Sequence, residues 1–207
     1  MNEKKELVKE TKWVKVYRIG GKALSYESKC LTEGLHISAA SIKSTWATLT
    51  PEEQLEFTIA FAPGLKLSAE DEEILNFLME VGSEPVLGNL ASLYARHSDR
   101  ERVLPFLLSR INPLEKRCGN YYQALELLKD PRAIPPLRRV YGGYRRALEE
   151  RELKPRELFN YLQCCRALWV LDGSAEFENA LRAMLVHSNE DVLRRAGQLL
   201  SPTGEGR

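Results

Sequence analysis

From residue 50 onward, apolar residues recur at helical spacing. Ile74, Phe77, Leu78 and Val81 follow i, i+3, i+4, i+7, and so do Leu104, Leu107, Leu108 and Ile111. Leu158, Leu162, Cys165 and Trp169 trace one stripe, Val192, Ala196 and Leu199 another. Leu137, Val140 or Tyr141, Tyr144 and Leu148 trace a third. Each stripe predicts a helix with one face buried against neighbours. Start signals separate the stripes. Thr50-Pro-Glu-Glu53 reads as a capping box with proline at the first helical position, where no N–H is needed. Asn112-Pro-Leu-Glu115 repeats it, and Asp130-Pro131 and Lys154-Pro155 also place proline just inside a helix. Ser68, Ser98, Ser174 and Ser188 offer hydroxyls for further N-caps. Short links between such helices predict antiparallel packing.

The first 37 residues follow another rule. Residues 13–19, Trp-Val-Lys-Val-Tyr-Arg-Ile, alternate with period two, Gly20-Gly21 follows, and Ala23 to Ser28 completes a β-hairpin pattern. A helix through 3–17 competes with it.

The helical part is self-similar. Asp99-Arg-Glu-Arg-Val-Leu-Pro-Phe aligns with Asp130-Pro-Arg-Ala-Ile-Pro-Pro-Leu, 31 residues later, matching Asp99 to Asp130, Val103 to Ile134 and Pro105 to Pro136. Ser174 to Leu181 fits the same frame without its proline. A period near thirty with two helices in each is the mark of a helical solenoid.

Asp130-Pro-Arg-Ala-Ile-Pro-Pro-Leu137, with Asn189-Glu-Asp-Val-Leu-Arg-Arg-Ala196 further on, resembles the HEAT repeat, especially its short bilin-lyase-like subclass. The resemblance covers residues 99–200 best and extends to 38–98 in degenerate form. It implies an all-α fold: a right-handed α-solenoid of about five helical hairpins over 38–200. Residues 1–37 would be a terminal cap with a short β-hairpin, and 201–207 a disordered tail. It also implies that Asp130 caps a first helix that Pro136 kinks, that Arg132 pairs with a neighbouring repeat, and that one of Arg194 and Arg195 is structural. The unit opening at 130 is longer than the family pattern.

Composition changes this picture little. The chain has 43% hydrophobic and 29% charged residues and a net charge of +1, so no global field draws it to nucleic acid or an anionic membrane. Charge is nevertheless uneven, with a net of −6 over residues 38–98 and +4 over 99–207. The N-terminus lacks the apolar core of a secretory signal, and no window is apolar enough to span a bilayer. Cys30, Cys118, Cys164 and Cys165 form no Cys-x-x-Cys pair and read as reduced, buried thiols of a cytoplasmic protein.

Candidate chemistry is sparse. His36, His97 and His187 lack metal-ligand spacing, and no His-Glu dipeptide repeats, which sets the chain apart from the iron-dependent hydroxylases that resemble this scaffold. Gly20-Gly21-Lys22 lacks the remaining positions of a phosphate loop. No catalytic set, cofactor or metal site is expected. The overlong unit carries six basic residues and a single acidic one between 129 and 146. Arg138 with Arg145, and Arg139 with Arg146, lie seven apart on shared helix flanks and form a candidate anion site. Gly142 and Gly143, each costing about 1 kcal/mol relative to alanine inside a helix, mark either a break or a close backbone approach.

The leading expectation is a non-catalytic scaffold whose concave face, lined by second helices, grips a protein partner. Its polar positions are Arg96, Lys116, Arg117, Asn120, Gln123, Asn160, Gln163 and Arg166. The alternatives follow from the resemblance. One is nucleic-acid contact, as in the alkylpurine DNA glycosylases of similar architecture, drawing on Trp46, Trp169 and the arginine cluster. The other is an accessory subunit of a lyase-type enzyme.

Overall fold

A computed structural model describes residues 5–19, 23–61, 66–112 and 118–201. The turn at Gly20-Gly21-Lys22, most of the second capping box at 112–115, and the tail beyond Ser201 therefore lie outside the described residues. Among the described residues the chain forms a three-stranded sheet and eleven α-helices. It divides into two compact units, Met1–Leu90 and Ala91–Arg207.

The first unit opens with β1 (Lys5–Glu10), β2 (Val14–Ile19) and β3 (Ala23–Ser28), antiparallel in the order β1-β2-β3. The hairpin is β2–β3, in register from Val14 opposite Ser28 to Ile19 opposite Ala23. A helix through 3–17 is ruled out by these strands. The additional strand, β1, breaks register between Leu7 and Lys9 and is exposed along its whole length. Its sequence, KELVKE, has no period-two alternation because it has no buried face. Backbone pairing holds it, and Lys9 bonds Glu52 and the buried Glu56 at 2.7 and 2.8 Å. Thr11 closes the β1–β2 turn, its hydroxyl accepting from the backbone of Trp13 and Val14.

Four helices follow: α1 (Lys29–Thr32), α2 (Ala39–Thr45), α3 (Pro51–Ala60) and α4 (Ala69–Val81). The first turns of α3 and α4 are closed by complete capping boxes, Thr50 with Glu53 and Ser68 with Asp71. The sheet packs on α3 through its buried valines, and Trp13 meets Phe57 edge-on at 5.2 Å. Trp46 lies 5% exposed, edge-on between Phe57 and Phe77, so its indole is core rather than surface. Ser28, at the end of β3, donates to the Ala60 carbonyl at 2.7 Å and satisfies the last turn of α3. Helix α5 (Glu84–His97) begins in this unit and ends in the next.

The second unit contains three helical hairpins: α6 (Arg100–Leu108) with α7 (Cys118–Leu128), α8 (Ile134–Glu150) with α9 (Pro155–Asp172), and α10 (Ala175–Ala183) with α11 (Glu190–Leu200). Each first helix, or for α8 the short turn that leads into it, opens at a side chain that accepts from the backbone N–H two residues on. Asp99 accepts from Glu101 at 2.9 Å, Asp130 from Arg132 at 2.9 Å and Ser174 from Glu176 at 3.3 Å. Asp99 and Asn189 hold the cap positions one residue beyond Ser98 and Ser188, because a carboxylate or amide oxygen reaches the amides of the next turn directly.

Two details of α8 differ from expectation. Three prolines within six residues remove the donors of an ordinary first turn, so residues Pro131–Ala133 form a tight 3-10 turn and the α-helix starts at Ile134. The helix then runs unbroken through Gly142 and Gly143, and a Cβ built on Gly142 would meet open space. Neither a break nor a close approach exists at Gly142. The real helix stop is Gly173, left-handed at φ 70°, which ends α9.

Helix α9 is the centre of this unit. It packs against α7, α8, α10 and α11, and Leu158 together with every residue from 160 to 168 is buried. Fully buried Leu125, Leu137 and Phe177 lie on the helices packed against it, each contributing about 1.5–3 kcal/mol of burial.

Candidate functional site

Because α9 is buried on nearly all sides, its polar residues face protein. Asn160, Gln163 and Arg166 stand three apart on one ridge, 5–6% exposed, between α7 and α11. Their fates differ. Asn160 accepts from the backbone N–H of Gly119 at 3.0 Å, satisfying one of the orphan donors at the start of α7. Arg166 spans to the other end. It donates to Glu126 of α7 at 3.2 Å and to the Leu199 carbonyl at 2.9 Å, in the last turn of α11, and lies 5.0 Å over the Trp169 ring. A cation suits that helix terminus. These two residues clamp the helices on either side.

Gln163, between them, clamps nothing. Its Oε1 is buried with no donor among the described residues. A buried, unpaired amide oxygen costs about 1–3 kcal/mol. The residue lies in the wall of a groove of about 570 Å³ formed by the first turn of α7, the near face of α9 and the exposed face of α11.

The groove contains Asn120 from α7, Arg156 and Phe159 from α9, and Asp191, Arg194, Arg195 and Gln198 from α11. Arg194 is paired with Asp191 at 2.5 Å, and Arg195 donates only to the neutral Gln198 amide at 3.3 Å. Arg156 has no carboxylate partner among the described residues. Two guanidinium charges in the wall are thus uncompensated.

Tyr122 and Tyr144 meet hydroxyl to hydroxyl at 3.4 Å, and burial raises both phenol pKa values. Burial also pushes the Cys165 thiol up to about 12 and holds Cys164 well above the ordinary thiol range. These groups are protonated packing, in keeping with the core reading of the vicinal cysteines.

The other sequence candidates are dispersed. Asn120, Asn160 and Gln163 share the groove, Arg166 is buried beside it, and Gln123 and Arg96 are exposed on α7 and α5. Lys116 and Arg117 lie outside the described residues. On α8, Arg138 is engaged by Asp172 and lies 5.1 Å over the Phe177 ring. Arg145 reaches the Tyr141 hydroxyl at 3.5 Å, Arg139 is exposed, and Arg146 borders a separate cavity of about 490 Å³ with Glu150 and Glu157. The histidines stay apart, and no cluster of metal-ligating side chains occurs among the described residues. No described helix is long and apolar enough to cross a membrane.

Sequence reasoning missed Arg156, Phe159, Arg195 and Gln198. For Arg156 a signal existed, since Arg156, Asn160 and Gln163 follow i, i+4, i+7 and share a face. For the α11 residues there was none, because their place depends on how α11 sits on α9.

Compared with known protein families, curated proteins and solved structures, the chain finds no match.

Proposed function

We propose that the chain is a HEAT-like helical repeat protein that binds a protein partner through the face of its second helices, α7, α9 and α11. Three observations support the repeat reading. The Asp99 and Asp130 caps recur with the same geometry. Arg132 reaches back to Glu101, one period earlier, at 2.7 and 3.0 Å. The second helices lie in chain order about α9.

The observation that carries the binding reading is Gln163. A stable fold leaves few buried polar atoms unpaired, and each one that persists calls for an explanation, of which a donor from a bound partner is one. This one sits in the wall of a groove whose neighbouring side chains are otherwise satisfied or solvated. The groove's mixed lining of amides, an aromatic ring and both signs of charge suits a polypeptide, which offers backbone donors as well as side chains.

Site-specific photo-crosslinking tests this. A crosslinker replacing Asn120 or Gln198 should capture one and the same protein in cell extract, and a crosslinker replacing Arg139 on α8 should not. Equal capture from both positions, or none from the second-helix face, rejects the proposal.

A further inference from the structure

We infer that the groove between α7, α9 and α11 takes an acidic peptide segment, its carboxylates on Arg156 and Arg195 and a backbone N–H on Gln163. The inference rests on the second-helix reading above and adds the chemistry of the ligand.

Charge comes first. The wall contains three arginines and one carboxylate. Asp191 accounts for Arg194, which leaves Arg156 and Arg195 with no carboxylate partner among the described residues. Arg156 is exposed and Arg195 half-buried, and each guanidinium keeps open donors for a carboxylate, where charge-assisted bonds are strongest.

The buried amide then says what else the ligand must offer. Gln163 needs a donor, and a carboxylate is none. Its terminal torsion is broad, so Oε1 can turn from beneath the wall toward the groove at little cost. A ligand with anionic groups and N–H donors fits both requirements, and a polypeptide with Asp or Glu side chains is the simplest. Asp191 argues against a nucleic-acid strand, because a regular phosphate backbone would place charge against it. Phe159 supplies an apolar surface beside the charges for an interleaved aliphatic side chain.

The test is fluorescence polarisation with four labelled probes. They are a short peptide alternating Glu and Leu, its Gln-for-Glu and Lys-for-Glu counterparts, and an oligothymidylate of matched charge. The acidic peptide should bind most tightly and weaken as salt rises. Arg156→Glu with Arg195→Glu should weaken it by about tenfold or more, as expected for losing charge-assisted bonds. Arg102→Glu, an equal change of sign on exposed α6, should leave binding intact. Gln163→Met should raise the melting temperature, by removing the unpaired oxygen, and still weaken the acidic peptide.

Equal binding of the acidic and neutral peptides overturns the inference. So does an equal loss in Arg102→Glu, unchanged affinity in Gln163→Met, or oligothymidylate binding as tightly as the acidic peptide. Failure here is separable from failure of the wider reading. If the crosslinked partner of Asn120 is still captured by the Arg156→Glu, Arg195→Glu protein, the second-helix face binds protein and only the acidic ligand is wrong.

Discussion

Asn160 on α9 accepts a hydrogen bond from the backbone N–H of Gly119 at 3.0 Å, across 41 residues of sequence. One contact ties the start of α7 to the middle of the central helix. Glycine suits the close approach, since a Cβ at Gly119 would stand 3.2 Å from the Asn160 Oδ1, a tight contact. Asn160→Leu should therefore cost about 1–3 kcal/mol by stranding a helix-end donor. Gly119→Ala should destabilise as well, because the Asn160 side chain is buried and has little room to yield. Urea denaturation measures both, and a neutral Asn160→Leu would show that the bond is idle.

Glycine elsewhere is misplaced with respect to stability. Gly142 lies inside α8 facing open space, and Lys129 holds φ 51° after the last turn of α7, a conformation that suits glycine. Gly142→Ala and Lys129→Gly should each stabilise the fold by up to about 1 kcal/mol. Thermal melts of the single variants and of the pair check this, and the two gains should add because the sites share no partner. A loss in Gly142→Ala would mean that the helix is not continuous there.

Acid should weaken the second unit in a defined window. The Arg151 guanidinium, helped by the Lys154 backbone N–H, lowers Glu157 from 4.5 to about 2. Arg132 holds Asp130 and Glu101 below the ordinary carboxylate range in the same way. A carboxylate with a depressed folded pKa contributes stability above its unfolded value and loses it as pH falls through the folded one. Stability should thus be flat from neutral pH to about 4.5 and then fall toward about pH 2. Melting temperature against pH tests this, and Glu157→Gln should flatten the slope within the window.

Thiol reactivity should separate the cysteines. Cys30 is half-buried, while Cys118, Cys164 and Cys165 are buried, and burial keeps Cys164 and Cys165 protonated at neutral pH. Iodoacetamide should label Cys30 first, slowly because burial raises its thiol as well, and reach the vicinal pair only on unfolding. Peptide mass spectrometry reads the order. Native labelling of Cys165 ahead of Cys30 would contradict the packing around α9.

Much of the helical part was legible because its signals are local. Thr50, Ser68, Asp130 and Ser174 cap the helices that their neighbours predict, since a cap bonds amides two or three residues away. Strand β1 was not legible. An edge strand without a buried face has no alternation to display, and its partners Tyr17 and Glu56 lie on other elements.

The groove divides the same way. Sequence alone determined that Asn160, Gln163 and Arg166 share one ridge of an apolar helix, because helical geometry fixes residues three apart. Only the tertiary structure decided that Asn160 and Arg166 reach neighbouring helix ends while the Gln163 Oε1 finds no donor among the described residues. A hydrogen bond extends about 3 Å, and which atoms come within it depends on how α7 and α11 settle against α9.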